Sequence, residues 1–149
     1  MNLSSPAFEN SSDIPVKYTC DGENVSPPLL VSDIPEGAES LVLIMDDPDA
    51  TSGRTFDHWI VFNISDEIEE IQEYSVPEGA LQGRNDFGRN EYGGPCPPAG
   101  AKKHRYMFKL YALDGYLDLP SGIDKKTLEQ TMEPRVLDQA TLVGLYGRK

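Results

Sequence analysis

Histidine and cysteine each occur only twice in this chain and tryptophan once, and the longest strongly apolar stretches are residues 41–45 and 59–62. A membrane-spanning helix needs about 18 or more apolar residues in a row, so none is expected. Two cysteines, Cys20 and Cys96, can pair at most once. In a reducing cytoplasm thiols stay free, so an unpaired state is expected for both. The first six residues, Met1-Asn2-Leu3-Ser4-Ser5-Pro6, lack the basic start and apolar core of a secretory signal, which points to a cytoplasmic location. Basic residues are scarce as well: 13 Lys and Arg stand against 25 Asp and Glu, for a formal net charge of -12. Such a chain repels a phosphate backbone or an anionic membrane on average, which argues against nucleic acid and bulk lipid as partners. The imbalance is local. Residues 1–80 carry 17 acids and 2 bases, whereas residues 81–149 carry 8 acids and 11 bases, so an anion would favour the second half.

What is present suits one folded unit spanning 1–149. There is no internal repeat, low-complexity tract or polar linker to mark a boundary. The chain is 149 residues long, 38% hydrophobic and 26% charged, with 13 Gly and 12 Pro, a mixture that favours strands and turns over long helices. A domain of this length buries about two-thirds of its unfolded surface and can stand on a hydrophobic core alone. Segments 16–20, 41–46, 59–64 and 105–113 are rich in β-branched, aromatic or aliphatic residues and are flanked by turn formers. In the last of these Tyr106, Phe108, Leu110 and Ala112 share one face, as expected for a strand covered on that side. Asp124 can cap a helix over 125–132, and Pro134 can open a second short helix through residue 140. A final strand is expected over 142–146, its Gly144 marking a bulge or a close backbone approach. Residues 83–103 are rich in Gly and Pro and poor in aliphatics, which predicts a long ordered loop arching over something.

The chemistry centres on His58 and His104, whose ordinary pKa lies near neutrality and which open two of the expected strands. Asp46-Asp47-Pro48-Asp49 ends a third strand, so three strand ends can converge on one pocket. A carboxylate beside an imidazole orients the ring and raises its pKa, giving a site able to hold an anion. Two His with one or two Asp are also the inventory of a metal site, but no His-x-His or His-x-x-x-His pair gathers ligands locally. No Gly-x-Ser-x-Gly elbow or Cys-Gly-x-Cys-Trp signature supplies a nucleophile. The segment Tyr92-Gly93-Gly94-Pro95-Cys96-Pro97-Pro98 would let rigid backbone come close to a ligand and offer an anion nest, or would simply connect two strands.

Taken together, Asp47-Pro48-Asp49-Ala50, Asp57-His58-Trp59-Ile60-Val61-Phe62-Asn63-Ile64, Gly93-Gly94-Pro95-Cys96-Pro97-Pro98 and His104-Arg105-Tyr106-Met107-Phe108-Lys109-Leu110-Tyr111-Ala112-Leu113-Asp114 resemble the phosphatidylethanolamine-binding protein family, in its prokaryotic Raf-kinase-inhibitor-like branch. The likeness runs from Tyr18-Thr19-Cys20-Asp21-Gly22 to Gly144-Leu145-Tyr146-Gly147-Arg148. It implies a mainly β fold with a central antiparallel sheet, a second smaller sheet and two short C-terminal helices. It also implies a shallow anion pocket lined by Asp47, His58, Gly94, Pro97, His104 and Tyr106, with Asp49 and Tyr92 one layer further out. Thr51 stands where the family motif often has proline, so the rim after Ala50 can turn differently. The C-terminal helix that covers the pocket mouth in eukaryotic members has no counterpart in these residues.

The expected function is binding of phosphate or a phosphorylated head group, free or on a phosphorylated partner, without catalysis, cofactor or metal. The alternative is a protease or kinase inhibitor acting through an exposed loop; a hydrolase built on the Asp-His cluster is the third reading, and a monomer and a homodimer are both compatible with the sequence.

Overall fold

Strand β4 (Ser40–Asp47) is buried along all eight of its residues, and the rest of the molecule is organised around it. In the computed structural model, which describes residues 1–149, β4 lies between β5 (Phe56–Ser65) and β8 (His104–Leu113), antiparallel to both. The sheet continues outward from β8 to the longest strand, β9 (Val136–Tyr146), and then to the two-residue β2 (Ser12–Asp13), which runs parallel to β9. On the other side β5 is bordered by the short β7 (Leu81–Gln82). A second sheet of three antiparallel strands, β1 (Asn2–Ser4), β3 (Leu29–Ser32) and β6 (Glu70–Ile71), covers one face of the first.

Alternation along β4 divides the core in two. Leu41, Leu43 and Met45 point toward the small sheet and pack with Leu3, Leu29, Val31 and Ile71, together with Trp59, Tyr106, Phe108 and Leu110. Val42 and Ile44 point the other way and, with Ile60 and Phe62, bury Leu128 and Met132 of the single α-helix, α1 (Lys125–Met132). A strand apolar on both faces is what a central position between two covering layers demands. In β8 the even-numbered residues from His104 to Ala112 are buried and the odd ones through Tyr111 lie at or near the surface, as the period-two pattern predicts.

Four expectations need correction. Residues 16–20 are not a strand: Val16–Tyr18 form a 3-10 turn behind Pro15, closed by the Thr19 hydroxyl donating to the Val16 carbonyl. Gly22 packs so tightly on this turn that an added Cβ would lie 2.3 Å from the Val16 carbonyl oxygen, a proximity no extended strand would create. The second short helix over 134–140 does not form. Pro134 sits in a three-residue 3-10 turn, Glu133–Arg135, and the chain then enters β9 at Val136 instead of at Leu142, because pairing with the whole of β8 outweighs a helix start signal. Helix α1 has the expected bounds, with Asp124 accepting from the Thr127 amide at 2.7 Å. Gly144 provides the close approach, since a Cβ there would lie 2.4 Å from a side-chain carbon of Ile14.

The fourth correction concerns the cysteines. Cys20 and Cys96 are joined in a disulfide across 76 residues, with Cα atoms 5.4 Å apart. The compartment argument weighed redox surroundings and had no access to proximity, which the fold supplies by laying 92–98 over the turn at Tyr18: the Cys20 amide donates to the Pro95 carbonyl at 3.1 Å. A crosslink closing so long a loop lowers the entropy of the unfolded chain by an amount worth about 4 kcal/mol. Replacing both cysteines by serine is therefore expected to lower the urea unfolding midpoint markedly under oxidising conditions, and an unchanged midpoint would contradict the crosslink.

Candidate functional site

The C-terminal end of β4 meets the N-terminal ends of β5 and β8, and that is where the polar residues gather. Asp47 continues the row of Leu43 and Met45 past the apolar core, so its carboxylate falls on the side of the small sheet. His104 is the first residue of β8 and lies on the same side as Tyr106 and Phe108. One carboxylate oxygen of Asp47 accepts from His104 Nδ1 at 2.7 Å and the other from the Asp49 amide at 2.8 Å. Both side chains are nearly buried, at 5% and 8% exposure, so the pair is shielded from water.

His58 reaches the same place through an irregularity. Met45 pairs with Trp59 and Asp46 with Asp57, so His58 is an extra residue in β5 with no partner in β4. In strict alternation His58 would share the α1 face with Ile60; the β-bulge turns its ring to the face of Asp47 instead. Its backbone bonds to the long loop: its carbonyl accepts from the Gly93 amide at 3.0 Å and from the Asn85 side chain at 3.3 Å. Its Nδ1 lies 2.6 Å from the Gly93 carbonyl oxygen. A carbonyl only accepts, so Nδ1 carries the hydrogen.

The same logic fixes His104, whose Nδ1 donates to a carboxylate. Neither Nε2 has a protein partner, and both rings line one cavity of about 310 Å³ together with Asp47, Phe56, Phe87, Pro97 and Tyr106. The Tyr106 ring stands edge-on to His58 at 5.3 Å and stacks on His104 at 6.3 Å. Burial and the nearby Asp47 charge raise the Tyr106 pKa, which keeps its hydroxyl a neutral donor. Burial lowers the His58 pKa, only partly offset by its bond to Gly93 and by the neighbouring carboxylates. The ligand-free cavity therefore presents a neutral His58 at pH 7.

Of the other residues singled out in the sequence, Pro97 lines the cavity wall and Gly94 does not. The Gly94 amide donates to the Asn24 side chain at 2.8 Å, and a Cβ there would lie 2.4 Å from the Tyr18 carbonyl oxygen, so this glycine lets two loops touch. Tyr92 likewise serves the loop: its hydroxyl donates to the Tyr18 carbonyl at 2.7 Å and its ring meets Trp59 edge-on at 5.5 Å. Asp49 turns outward into a two-pronged pair with Arg105, with both contacts at 2.9 Å, and this holds its pKa down at about 2. The pair pins the loop after β4 against β8, and Thr51 sits on the cavity rim.

Sequence reasoning missed three contributors. Phe56 and Phe87 wall the cavity, with centroids 4.9 Å apart and 4.9 Å and 5.6 Å from the His58 ring. Asn85, 3% exposed, organises the loop by accepting from the Phe87 and Arg89 amides and donating to the Glu91 carbonyl. Its only sequence signal is the Asn-Asp pair at 85–86 between two arginines, which reads as an ordinary turn. No group of three or more His, Cys, Asp or Glu side chains takes up a metal-holding arrangement.

A two-sheet β protein with a histidine-lined cavity at the ends of its central strands is the class of molecule that fold and site define. A family model for phosphatidylethanolamine-binding protein matches residues 4–147, and the chain belongs to that family. It is 48% identical over 153 residues to a UPF0098 protein of Methanothermobacter thermautotrophicus, with 99% of each chain covered. A UPF0098 protein of Aquifex aeolicus is 50% identical over 153 residues, covering 99% of this chain and 89% of that one. Among solved structures it is similar to a phosphatidylethanolamine-binding protein homologue from Chlamydia trachomatis, with a TM-score of 0.93 and 40% identity over 99% of this chain and 97% of that one. YbcL of E. coli gives the same TM-score at 30% identity, with 99% and 98% covered.

The depressed His58 pKa has a consequence for stability. In the unfolded chain this imidazole takes a proton near its ordinary value of 6.5, while in the folded protein it resists. Its contribution is complete above that pH and is lost as pH falls toward the lower folded value, because the unfolded state then binds more protons. The urea midpoint should drop between pH 7.5 and pH 5.5, and by less in His58→Gln; equal drops in the two proteins would show that His58 is not held neutral.

Proposed function

We propose that this protein is a binding module for a small oxyanion, such as phosphate or a phosphorylated head group, taken up free or on a phosphorylated partner, and that it works without catalysis. The observation that carries this reading is the pair of Nε2 atoms: each ring spends its Nδ1 hydrogen on a fixed acceptor and leaves Nε2 facing one cavity. Protonated at Nε2, both rings become donors to an anionic oxygen, and the Tyr106 hydroxyl stands beside them. Asp47 fixes the orientation of the His104 ring, while the aromatic wall of Phe56 and Phe87 suits the organic part of a ligand.

A non-catalytic role is supported by what the hydroxyls do. The Ser52 hydroxyl at the rim donates to the Arg54 carbonyl at 3.1 Å and not to a histidine. Carboxylates close to the rings are engaged as well, Asp47 by His104 and Asp49 by Arg105, so neither is a free base for water.

Binding through the protonated form ties affinity to pH. An anion raises the His58 pKa above its depressed free value, so the affinity rises as pH falls through the interval between the two. Ring resonances of both histidines, followed by NMR with phosphate, O-phosphoserine and phosphoethanolamine, should shift saturably and more tightly at pH 6 than at pH 8. His58→Ala and Asp47→Ala should each weaken binding roughly tenfold or more, given the strength of hydrogen bonds to charged groups. Rings indifferent to every anion would overturn the reading, and turnover of a phosphoester lost in His58→Ala would replace it with a hydrolase.

A further inference from the structure

On the opposite face of the sheet, directly behind the cavity, the strand pair that carries Asp47 and His58 holds two more carboxylates. Asp46 and Asp57 are cross-strand partners, so their side chains leave the sheet side by side toward α1. Like charges opposite one another push strands apart; Asp46 is shielded from water at 1% exposure and the Asp57 side chain is 14% exposed. Lys125, the first residue of α1, bridges them. Its ammonium lies 2.7 Å from Asp57 and 3.3 Å from Asp46, while Lys109 of β8 reaches Asp46 at 3.1 Å. The second carboxylate oxygen of Asp46 is buried without any hydrogen-bond partner, so its charge is balanced chiefly by these two ammonium groups.

The position of this bridge matters. Asp57 is the last paired residue before the bulge, and His58 is the unpaired one. The separation of β4 from β5 at this point sets how far His58 stands from Asp47 on the other face. We propose that Lys125 is a positioning residue for the anion cavity: by neutralising Asp46 and Asp57 it clamps the two strands at the bulge and so holds the His58 ring in place. Lys125 itself does not line the cavity, and its side chain is only 17% exposed. The helix thereby gains a role beyond covering apolar surface, since its first side chain sets the geometry of a site on the far side of the sheet.

The inference rests on the anion-binding reading for its affinity readout but not for its structural one. In Lys125→Met the two carboxylates face each other without their bridge, and phosphate binding followed by the His58 ring should weaken roughly tenfold, a coupling of ordinary size for groups in one network. The double variant Asp46→Asn with Lys125→Met removes the repulsion along with the bridge, and should recover most of the lost affinity. In ligand-free protein the His58 Nδ1 hydrogen resonance and the Gly93 amide should shift and exchange faster in Lys125→Met, and return toward wild type in the double variant. If wild type ignores phosphate, the binding reading fails while the resonances still test the clamp. Unperturbed His58 and Gly93 resonances in Lys125→Met would overturn the positioning role, as would a double variant no better than the single one. Should Lys125→Met not fold, Lys125→Arg, which keeps the charge, and the double variant supply the comparison: wild-type resonances in both sustain the clamp, and perturbed ones in the double variant overturn it.

Discussion

One extra residue in β5 is the constraint on which the site depends. Because His58 has no partner in β4, its side chain moves to the face of Asp47 and its backbone carbonyl is released to the long loop. The loop replaces a neighbouring strand there: Gly83, Asp86 and Gly93 each donate an amide hydrogen to a carbonyl of β5, at Ile60, Asp57 and His58. The return contact, from His58 Nδ1 to the Gly93 carbonyl, makes the loop orient the ring. Pairing, loop path and imidazole tautomer are thus consequences of one local departure from strand alternation.

An acidic chain must manage its own carboxylates, and the structure does so by giving each buried one a basic partner. Asp47 is bonded to His104, Asp49 to Arg105, and Asp46 and Asp57 to Lys125 with help from Lys109. Arg105, Lys109 and Lys125 all belong to residues 81–149, the half of the chain with more bases than acids, so the charge asymmetry along the chain is resolved by folding the two halves against each other. Of these contacts Asp49 with Arg105 is largely exposed and screened, whereas Asp46 and Asp47 are buried, where an unpaired charge is most costly.

Much of this was legible in the sequence. The apolar runs at 41–46, 59–64 and 105–113 lie within β4, β5 and β8, and the motifs ending in Asp47, opening at His58 and opening at His104 come together as three adjacent strand ends. Helix α1 was readable from its cap. What escaped is what depends on distant partners. The bulge at His58 appears only when β4 supplies the register, and β9 extends back to Val136 only because β8 is long enough to pair with it. Nothing local distinguishes Asn85 or Phe87 from turn residues until the loop closes over His58. The disulfide was misjudged for the same reason: Cys20 and Cys96 are 76 residues apart, and only the contact between the 92–98 segment and the Tyr18 turn makes them neighbours.

The central claim is that both imidazoles are locked with hydrogen on Nδ1 and Nε2 turned toward the cavity. Long-range proton–nitrogen correlation of the histidine rings in the ligand-free protein at pH 8 reads this directly. The account predicts a protonated, pyrrole-like Nδ1 for both His58 and His104, and an unprotonated, pyridine-like Nε2 for His58. A ring carrying hydrogen on Nε2 and none on Nδ1 would contradict it, since the Gly93 and Asp47 contacts would then not be those that orient the site.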